Sequence, residues 1–206
     1  MSARLTLKRV ADDVFEIPVS TASEAQALAA SLKAAGTAED VVAGLTSVAV
    51  RFDPIDTAAV EAWLQSVSAS QAAALPGRDI IEIEVSYGGE HGPDFEAVCA
   101  QLGLSADAFI QRHTASDHTV DMIGFTPGFS YISGLPNAWT IPRLGTPRNR
   151  VAAGSIGISA GYTGIYALAG PGGWPLIGRT TATLFDPGAA DPFLLVPGQR
   201  VTFRSA

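Results

Sequence analysis

The sequence predicts an α+β N-terminal domain followed by a mainly β domain, built as a barrel or a sandwich. Over the first 85 residues, segments with strand-like alternation take turns with segments of helical periodicity. Further along the chain, 12 of the 21 glycines lie within residues 124–178, and nine of the 13 prolines lie within residues 127–197. Long helices do not persist through so many breakers, so we expect short strands joined by irregular loops there.

The first domain is predicted over residues 1–85 as a ferredoxin-like sandwich, with helices covering one face of a sheet. The predicted strands are RLTLKRV, DVFEIPV, LTSVAVRFDP and RDIIEIEVSY. The segment STASEAQALAASLKAAG predicts a helix that Ser20 or Thr21 caps and that Gly36 ends. DTAAVEAWLQSVSA predicts a second helix, and ALPGRD is a candidate hinge. No catalytic constellation is found in this domain, so we expect a structural or interface role for it.

The second domain is predicted over residues 86–206, with two short helices at its start. Pro93 suits the first turn of DFEAVCAQLG, and Ser105 is in place to cap ADAFIQRH. The β segments that follow are predicted at HTVDMIGF, RVAAGSIGISA, TGIYAL, WPLIGRT and FLLVPGQRVTFR.

The stretch GFTPGFSYISGLP combines three glycines, two prolines and three aromatic residues. That mixture predicts a barrel strand entering a tight turn. We expect Phe125, Phe129 and Tyr131 to pack in the core or at a subunit interface, with direct contact to a ligand as the alternative.

The composition argues against several classes of protein. A net charge of −7 is unlike that of a general nucleic-acid binder. No run of 18 apolar residues exists, so we expect no membrane span, and the first residues lack the long apolar segment of a secretory signal. The single cysteine, Cys99, rules out an internal disulfide. Its neighbours are apolar and helical in pattern, so we expect a buried thiol in a cytoplasmic protein.

Arginines are concentrated late in the chain, where residues 143–204 hold six arginines and two acidic residues. Such an excess suggests a site for a small carboxylate or another anion. Pairing with acidic residues elsewhere in the fold is the alternative for each arginine. The surrounding glycines let backbone N–H groups approach a ligand closely, and the hydroxyls of Ser155 and Thr163 are candidates to orient a small polar substrate.

The three histidines, His91, His113 and His118, precede the glycine-rich region. His113 closes a predicted helix, where the helix dipole favours its protonated form and where it can bond an end carbonyl or transfer a proton. We expect His91 and His118 to be solvated loop residues. A zinc site built from the three is the weaker alternative, because their spacing matches no strong ligand pattern. The sequence also contains no phosphate loop, no nucleophile elbow and no dinucleotide fingerprint.

An ordered set of motifs resembles a known family. The segments are YGGEHGPDFEAVCAQLGLSADAFIQRHT, GFTPGFSYISGLP, PRLGTPRNRVAAGSIGI, TGIY, PGGWPLIGRT and LFDP. In this order they resemble the allophanate hydrolase subunit 1 proteins, a family that includes the B subunit of bacterial 5-oxoprolinase and the sporulation-kinase inhibitor KipI. The resemblance is dense over residues 87–203 and weaker before them. It departs at three positions where the pattern has proline and at one where it has serine, namely Ala152, Ala167, Thr181 and Gly170.

The resemblance implies that the second domain is a cyclophilin-like barrel and that the protein is a hydrolase subunit, active only with partners. The implied reaction is the ATP-dependent opening of 5-oxo-L-proline to L-glutamate, with Mg²⁺ as the counter-ion of ATP. The implied partners are a second barrel protein, resembling allophanate hydrolase subunit 2 or the C subunit of 5-oxoprolinase, and a third component resembling the 5-oxoprolinase A subunit. The alternatives are a KipI-like inhibitor of a sensor histidine kinase and a carboxyltransferase-type subunit of a urea carboxylase or allophanate hydrolase system.

Opening a cyclic amide requires an activated carbonyl, a group that holds the substrate carboxylate, and a place for developing negative charge. The backbone amides near Gly154 and Ser155, and those of Gly172 and Gly173, are candidates for holding that charge. The predicted catalytic residues are His113, Arg148 and Ser155, and the predicted substrate-binding residues are Arg143, Thr163, Gly172, Gly173 and Arg179. No metal ligands are predicted in this chain.

Overall fold

The structure is a computed structural model that describes residues 6–36, 38–52 and 79–206. The chain divides into two compact units, Met1–Gly77 and Arg78–Ala206. The predicted second helix of the first domain, DTAAVEAWLQSVSA, lies outside the described residues, as does most of the candidate hinge ALPGRD.

The described part of the first unit contains a four-stranded antiparallel sheet and a helix. Its elements are β1 (Lys8–Arg9), β2 (Val14–Pro18), α1 (Ala22–Ala35), β3 (Asp40–Ala43) and β4 (Ser47–Arg51), and the strand order is β1-β2-β4-β3. The helix begins and ends as predicted, because Thr21 Oγ1 accepts a hydrogen bond from the Glu24 N–H at 3.1 Å and Gly36 is left-handed with φ 66°. The apolar side of α1, including Leu28 and Leu32, packs on the sheet.

The second unit is built around a closed seven-stranded barrel with the strand order β10-β7-β6-β13-β5-β12-β9. Its strands are β5 (Ile81–Tyr87), β6 (His118–Ile123), β7 (Ser130–Ser133), β9 (Ser155–Ser159), β10 (Tyr162–Ile165), β12 (Leu176–Arg179) and β13 (Arg200–Ser205). Strand β13 pairs parallel with β5, and the other barrel pairs are antiparallel. A separate two-stranded ribbon consists of β8 (Arg148–Val151) and β11 (Gly170–Gly172).

Strand β5 lies in this barrel, whereas the sequence prediction placed it in the first domain as RDIIEIEVSY. It pairs with β13 on one side and with β12 on the other. The side chains of Ile83 and Val85 alternate into the barrel core. The alternation of apolar and polar residues predicts a strand but does not indicate which sheet the strand joins. The ferredoxin-like arrangement of the first domain is not confirmed.

Two helices, α2 (Phe95–Leu102) and α3 (Ala106–Ala115), close the barrel core. Ser105 caps α3 as predicted, since its Oγ accepts a hydrogen bond from the Ala108 N–H at 3.2 Å. Phe109 of α3 stacks on Trp139 with the ring centroids 4.5 Å apart. Cys99 of α2 is buried in the same core, also as predicted, and burial raises the pKa of its thiol.

An aromatic cluster packs on the outer side of the barrel, under the ribbon. Trp174 reaches the strand pair β9–β10 where Gly157 lies opposite Gly164. A Cβ atom on Gly164 would lie 2.7 Å from the Trp174 ring, so glycine is required for this contact. Phe129 packs edge-on against Trp174, as the packing prediction for this stretch anticipated. Phe125 differs, because it is 62% exposed and has a φ of 68°.

Candidate functional site

The structure places the predicted site residues in three separate parts of the second unit. His113 and Thr163 lie in the barrel core, Arg179 and Ser155 lie side by side on β12 and β9, and Arg143, Arg148, Gly172 and Gly173 lie in or beside the β8–β11 ribbon.

His113 lies in the core with none of its surface exposed. Its Nδ1 is 2.7 Å from the Tyr87 hydroxyl, and its Nε2 is 3.0 Å from the Thr163 hydroxyl. Burial, together with the neighbouring His118, lowers the pKa of His113 well below its ordinary value. The prediction of a protonated His113 at a helix end is therefore wrong, because the last turn of α3 faces the core and desolvation outweighs the helix dipole.

His118 is buried in β6 and 1% exposed, so the prediction of a solvated loop residue is wrong as well. Its Nε2 lies 2.7 Å from the His113 carbonyl oxygen, and its Nδ1 lies 3.1 Å from the Ser133 carbonyl oxygen. His118 thus satisfies a carbonyl in the last turn of α3, which is the role that was predicted for His113. The alternation of His118 with Val120, both inward on β6, was the sequence feature that could have placed it.

A pocket of about 540 Å³ opens beside β12, and we call it the Arg179 pocket. Its lining residues are Ser86, His91, Ala153, Gly154, Ala167, Arg179, Thr180, Thr181, Ala182, Thr183 and Leu184. Arg179 lies opposite Ser86 of β5 and opposite Ser155 of β9. Directly opposed residues of antiparallel strands share a face of the sheet, so the arginine has a serine on each side.

The amide prediction for Gly154 and Ser155 is wrong. The Gly154 N–H donates to the Tyr166 carbonyl at 2.7 Å, and the Ser155 N–H donates to the Ala152 carbonyl at 3.2 Å. Both donors are therefore used within the fold. Gly154, with φ 80°, serves packing instead, because a Cβ atom there would overlap the Thr180 carbonyl oxygen.

Sequence reasoning missed the hydroxyl-rich segment that follows β12 and contributes Thr180, Thr181 and Thr183 to the pocket. The repeated threonines after Arg179 are the sequence feature that could have predicted a polar loop. Thr180 Oγ1 accepts a hydrogen bond from the Ala182 N–H at 3.2 Å, which leaves its hydroxyl hydrogen available to a ligand. Two of the departures from the family pattern, Thr181 and Ala167, line this same pocket.

Arg148, in the ribbon, is held by an aspartate that sequence reasoning also missed. Its Nη2 donates to Asp94 Oδ1 at 2.7 Å, and Asp94 Oδ2 accepts the Leu176 N–H at 2.7 Å. Asp94 is the N-cap residue of α2, but its side chain forms no capping hydrogen bond, and its carboxylate is engaged by these two donors instead. Nη1 of Arg148 is buried and has no hydrogen-bond partner among the described residues. This nitrogen is a donor that a ligand or a water molecule can use.

The glycines of the ribbon fit closely against the aromatic cluster. A Cβ atom on Gly172 would overlap the Tyr166 hydroxyl, and the Gly173 carbonyl accepts the Leu144 N–H at 2.7 Å. Burial raises the pKa of Tyr166, while the charges of Arg143 and Arg148 act in the opposite direction. Two arginines therefore lie within electrostatic range of the Tyr166 hydroxyl.

The six arginines of residues 143–204 divide between the two alternatives that the sequence left open, a site for an anion and pairing with acidic residues. Three form ion pairs, namely Arg148 with Asp94, Arg200 with Asp117, and Arg204 with Glu82 and Glu84. The other three, Arg143, Arg150 and Arg179, form no ion pair with any residue that the structure describes. Of these, Arg179 lines a pocket.

Over residues 6–36, 38–52 and 79–206, no group of three or more histidine, cysteine, aspartate or glutamate side chains is arranged to hold a metal ion. Within the same ranges, no helix has both the length and the apolar character needed to cross a membrane.

Residues 5–195 match the family model described as the carboxyltransferase domain, subdomain C and D. The chain is 40% identical over 166 residues to the 5-oxoprolinase B subunit of Escherichia coli O157:H7, covering 80% of this chain and 76% of that protein. It is 42% identical over 158 residues to the 5-oxoprolinase B subunit of Haemophilus influenzae, covering 77% of this chain and 72% of that protein.

Among solved structures, the chain resembles TTHA0988 with a TM-score of 0.78 and 32% identity. That match covers 94% of this chain but 40% of the TTHA0988 chain. It also resembles the urea carboxylase of Kluyveromyces lactis, with a TM-score of 0.75 and 18% identity, over 98% of this chain and 22% of that chain. The second match is a likeness of fold.

Proposed function

The chain belongs to the carboxyltransferase domain family, subdomains C and D, and from this membership we propose that it is the B subunit of a 5-oxoprolinase. In this role it is one component of a hydrolase that opens the cyclic amide of 5-oxo-L-proline to L-glutamate, with consumption of ATP and water. The observation that carries the proposal is the similarity to two 5-oxoprolinase B subunits over most of this chain.

The chemistry assigns distinct tasks to the components of such an enzyme. An amide carbonyl is a weak electrophile, and ATP would supply its activation by phosphorylation of the carbonyl oxygen. The protein must hold the substrate in place and stabilise the charge that develops. In our proposal the Arg179 pocket receives the substrate, and Ser155 supports Arg179 from the neighbouring strand.

The remaining predicted residues take other parts in the proposal. Arg143 and Arg148, with the backbone of Gly172 and Gly173, form a second anion-binding surface suited to phosphate. His113 and Thr163 are buried, so we assign them a positioning role. The hydrogen-bonded chain Tyr87–His113–Thr163 links β5, α3 and β10 across the barrel.

The described residues suit phosphate better than they suit Mg²⁺. Arginine side chains offer donors for phosphate oxygens, whereas Mg²⁺ needs oxygen ligands such as carboxylates. No suitable carboxylate cluster exists among the residues that the structure describes. We propose that partner subunits of the C type and the A type contribute ligands to Mg²⁺. We further propose that the assembly works in the cytoplasm.

The proposal is tested by reconstitution. The purified chain is assayed for ATP hydrolysis and for L-glutamate formation, alone and with candidate A-type and C-type subunits, in the presence and absence of 5-oxo-L-proline. We expect both activities only in the complete mixture with substrate, because no single component holds all the required groups. Omission of each component in turn is the control.

An assembled complex, verified by its size, that hydrolyses no ATP and forms no glutamate in response to 5-oxo-L-proline would contradict the proposal. A carboxyltransferase-type activity would then become the favoured function, since the matching family model carries that description.

A further inference from the structure

We propose that the Arg179 pocket binds a small carboxylate end-on, through the two terminal nitrogens of Arg179. We infer that this is the subsite for the carboxylate of 5-oxo-L-proline. The identity of that substrate rests on the proposed function, whereas the affinity of the pocket for a small carboxylate does not. The orientation of the Arg179 guanidinium, the charge of the pocket and the residues that line it each support the assignment.

The orientation of the Arg179 guanidinium is fixed by its own backbone contact. Nε donates to the Ala153 carbonyl oxygen at 3.0 Å. Because this donor is used, a carboxylate cannot pair side-on through Nε and one terminal nitrogen. Neither terminal nitrogen has a hydrogen-bond or ion-pair partner within the part of the chain that the structure describes. The two remaining parallel N–H groups form a fork that matches the spacing of carboxylate oxygens.

The charge of the pocket is not neutralised from within. Its lining includes Arg179, and no acidic side chain appears among the described lining residues. Glu84 pairs with Arg204, and Glu90, which lies 3.7 Å from His91, points largely into solvent and does not line the pocket. An anionic ligand would supply the missing counter-charge.

The rest of the lining suits a compact amphipathic ring. Hydroxyl groups come from Ser86 and from the threonines at positions 180, 181 and 183, and apolar surface comes from three alanines and Leu184. The ring methylenes of a lactam can pack on the apolar side while its amide faces the hydroxyls. A volume of about 540 Å³ also falls within the usual range of about 300–1,000 Å³ for small-molecule sites.

The pocket is built by backbone hydrogen bonds. The Thr180 N–H donates to the Gly154 carbonyl at 2.9 Å, and the Gly154 N–H donates to the Tyr166 carbonyl at 2.7 Å. The first bond joins the start of β9 to the end of β12, and the second joins the start of β9 to the end of β10, before any ligand arrives. Little ordering is then needed on binding, which favours recognition of a small molecule with few contacts.

The test compares two ligands that differ by one carboxylate, 5-oxo-L-proline and 2-pyrrolidinone, in the assembled enzyme. In Arg179→Gln we expect the KM for 5-oxo-L-proline to rise about 10- to 100-fold, as for loss of a charge-assisted hydrogen-bonded pair. The inhibition constant of 2-pyrrolidinone should change by less than about twofold, because it has no carboxylate. Arg112→Gln, an exposed arginine on α3 outside the pocket, should leave both constants unchanged.

Arg179→Lys provides a second variant, which keeps the charge but loses the fork, and its KM should lie between those of the wild type and Arg179→Gln. Co-elution with the partner subunits verifies folding of each variant. The carboxylate assignment is overturned if Arg179→Gln leaves the KM for 5-oxo-L-proline unchanged. It is also overturned if the substitution weakens the binding of 5-oxo-L-proline and of 2-pyrrolidinone by the same factor.

Failure of the proposed function gives a different result, because the wild-type complex would not turn over 5-oxo-L-proline at all. The pocket is then tested in the full chain alone, by titrating acetate and 5-oxo-L-proline in ¹H–¹⁵N NMR spectra. Shifts at the amides of Gly154, Thr180 and Thr181 that vanish in Arg179→Gln support a carboxylate site. The absence of shifts at these amides in both titrations overturns it.

Discussion

At the scale of single residues, His113 illustrates how burial changes the behaviour of a titratable group. Each of its ring nitrogens faces a hydroxyl, that of Tyr87 on one side and that of Thr163 on the other. Hydroxyls can donate or accept, so the neutral ring is satisfied in either tautomer. A charged ring would lose its hydration and would also lie beside His118, with the ring centroids 5.0 Å apart.

We predict that the free energy of unfolding falls as the pH drops below about 6.5, the ordinary pKa of histidine. The pKa of His113 is lower in the folded state than in the unfolded state. The unfolded chain therefore binds the proton first, and stability is present above about pH 6.5 and is lost as the pH decreases further. Chemical denaturation at several pH values measures this dependence.

The matched variant is His113→Gln, which keeps hydrogen-bonding capacity and cannot titrate in this range. It should be less stable than the wild type at neutral pH and should show a flatter pH profile under acidic conditions. A variant with the same acid slope as the wild type would show that another group is responsible.

Single residues also show which local features could be predicted from the sequence and which could not. The caps at Thr21 and Ser105 and the stop at Gly36 were predictable, because each depends on a few neighbouring residues. The burial of His113 was not predictable, since it depends on which face of α3 the barrel covers. Asp94 was overlooked for a similar reason, as both of its partners lie more than 50 residues away in sequence.

At the scale of elements, the candidate site depends on the register of three strands. Arg179 of β12 meets Ser155 of β9 and Ser86 of β5. The sequence singled out Arg179 and Ser155 as separate candidates, and pairing brought them together. Ser86 could not be joined to them by sequence reasoning, because the strand that carries it had been placed in the first domain.

We predict that Gly154→Ala lowers the free energy of unfolding by at least about 2 kcal/mol, because the junction of β9 and the segment after β12 leaves no room for a methyl group. The alanine would have to adopt a φ near 80° and would overlap the Thr180 carbonyl oxygen. Urea denaturation measures the loss. Binding at the Arg179 pocket should weaken as well, since the two segments form its wall.

Gly161→Ala is the control for this change. Gly161 has a nearly identical φ of 82° but no heavy atom within 4 Å of the position of a Cβ atom. It should therefore lose only the backbone contribution, about 1–2 kcal/mol. Equal losses in the two variants would mean that the close approach to Thr180 adds nothing.

At the scale of the whole molecule, the boundary between the two compact units lies just before β5, the first strand of the barrel. The sequence predicted a boundary after residue 85, within the segment that the structure shows as strand β5. Strand β5 supplies hydrogen bonds to two neighbours and two buried side chains, Ile83 and Val85, to the core. The general class of the second domain, a β barrel with irregular loops, was predictable from its glycines and prolines, because breakers act locally.

We predict that a fragment of residues 79–206 folds cooperatively, whereas a fragment of residues 86–206 does not. Loss of β5 opens the barrel, exposes its core and leaves the edges of β12 and β13 unpaired. Thermal denaturation followed by circular dichroism and size-exclusion chromatography distinguish the two. Equal cooperativity of both fragments would show that β5 is dispensable for the barrel.

The parallel pairing of β5 with β13 has a consequence for biosynthesis. Arg204 and Glu82, which form an ion pair across these strands, are 122 residues apart in sequence. At about 5–20 residues per second, the ribosome needs about 6–24 s to add that length of chain. During this interval β5 carries an unpaired edge, which is a template for association with other nascent chains. Production of this protein should therefore be sensitive to the supply of chaperones that bind incomplete polypeptides.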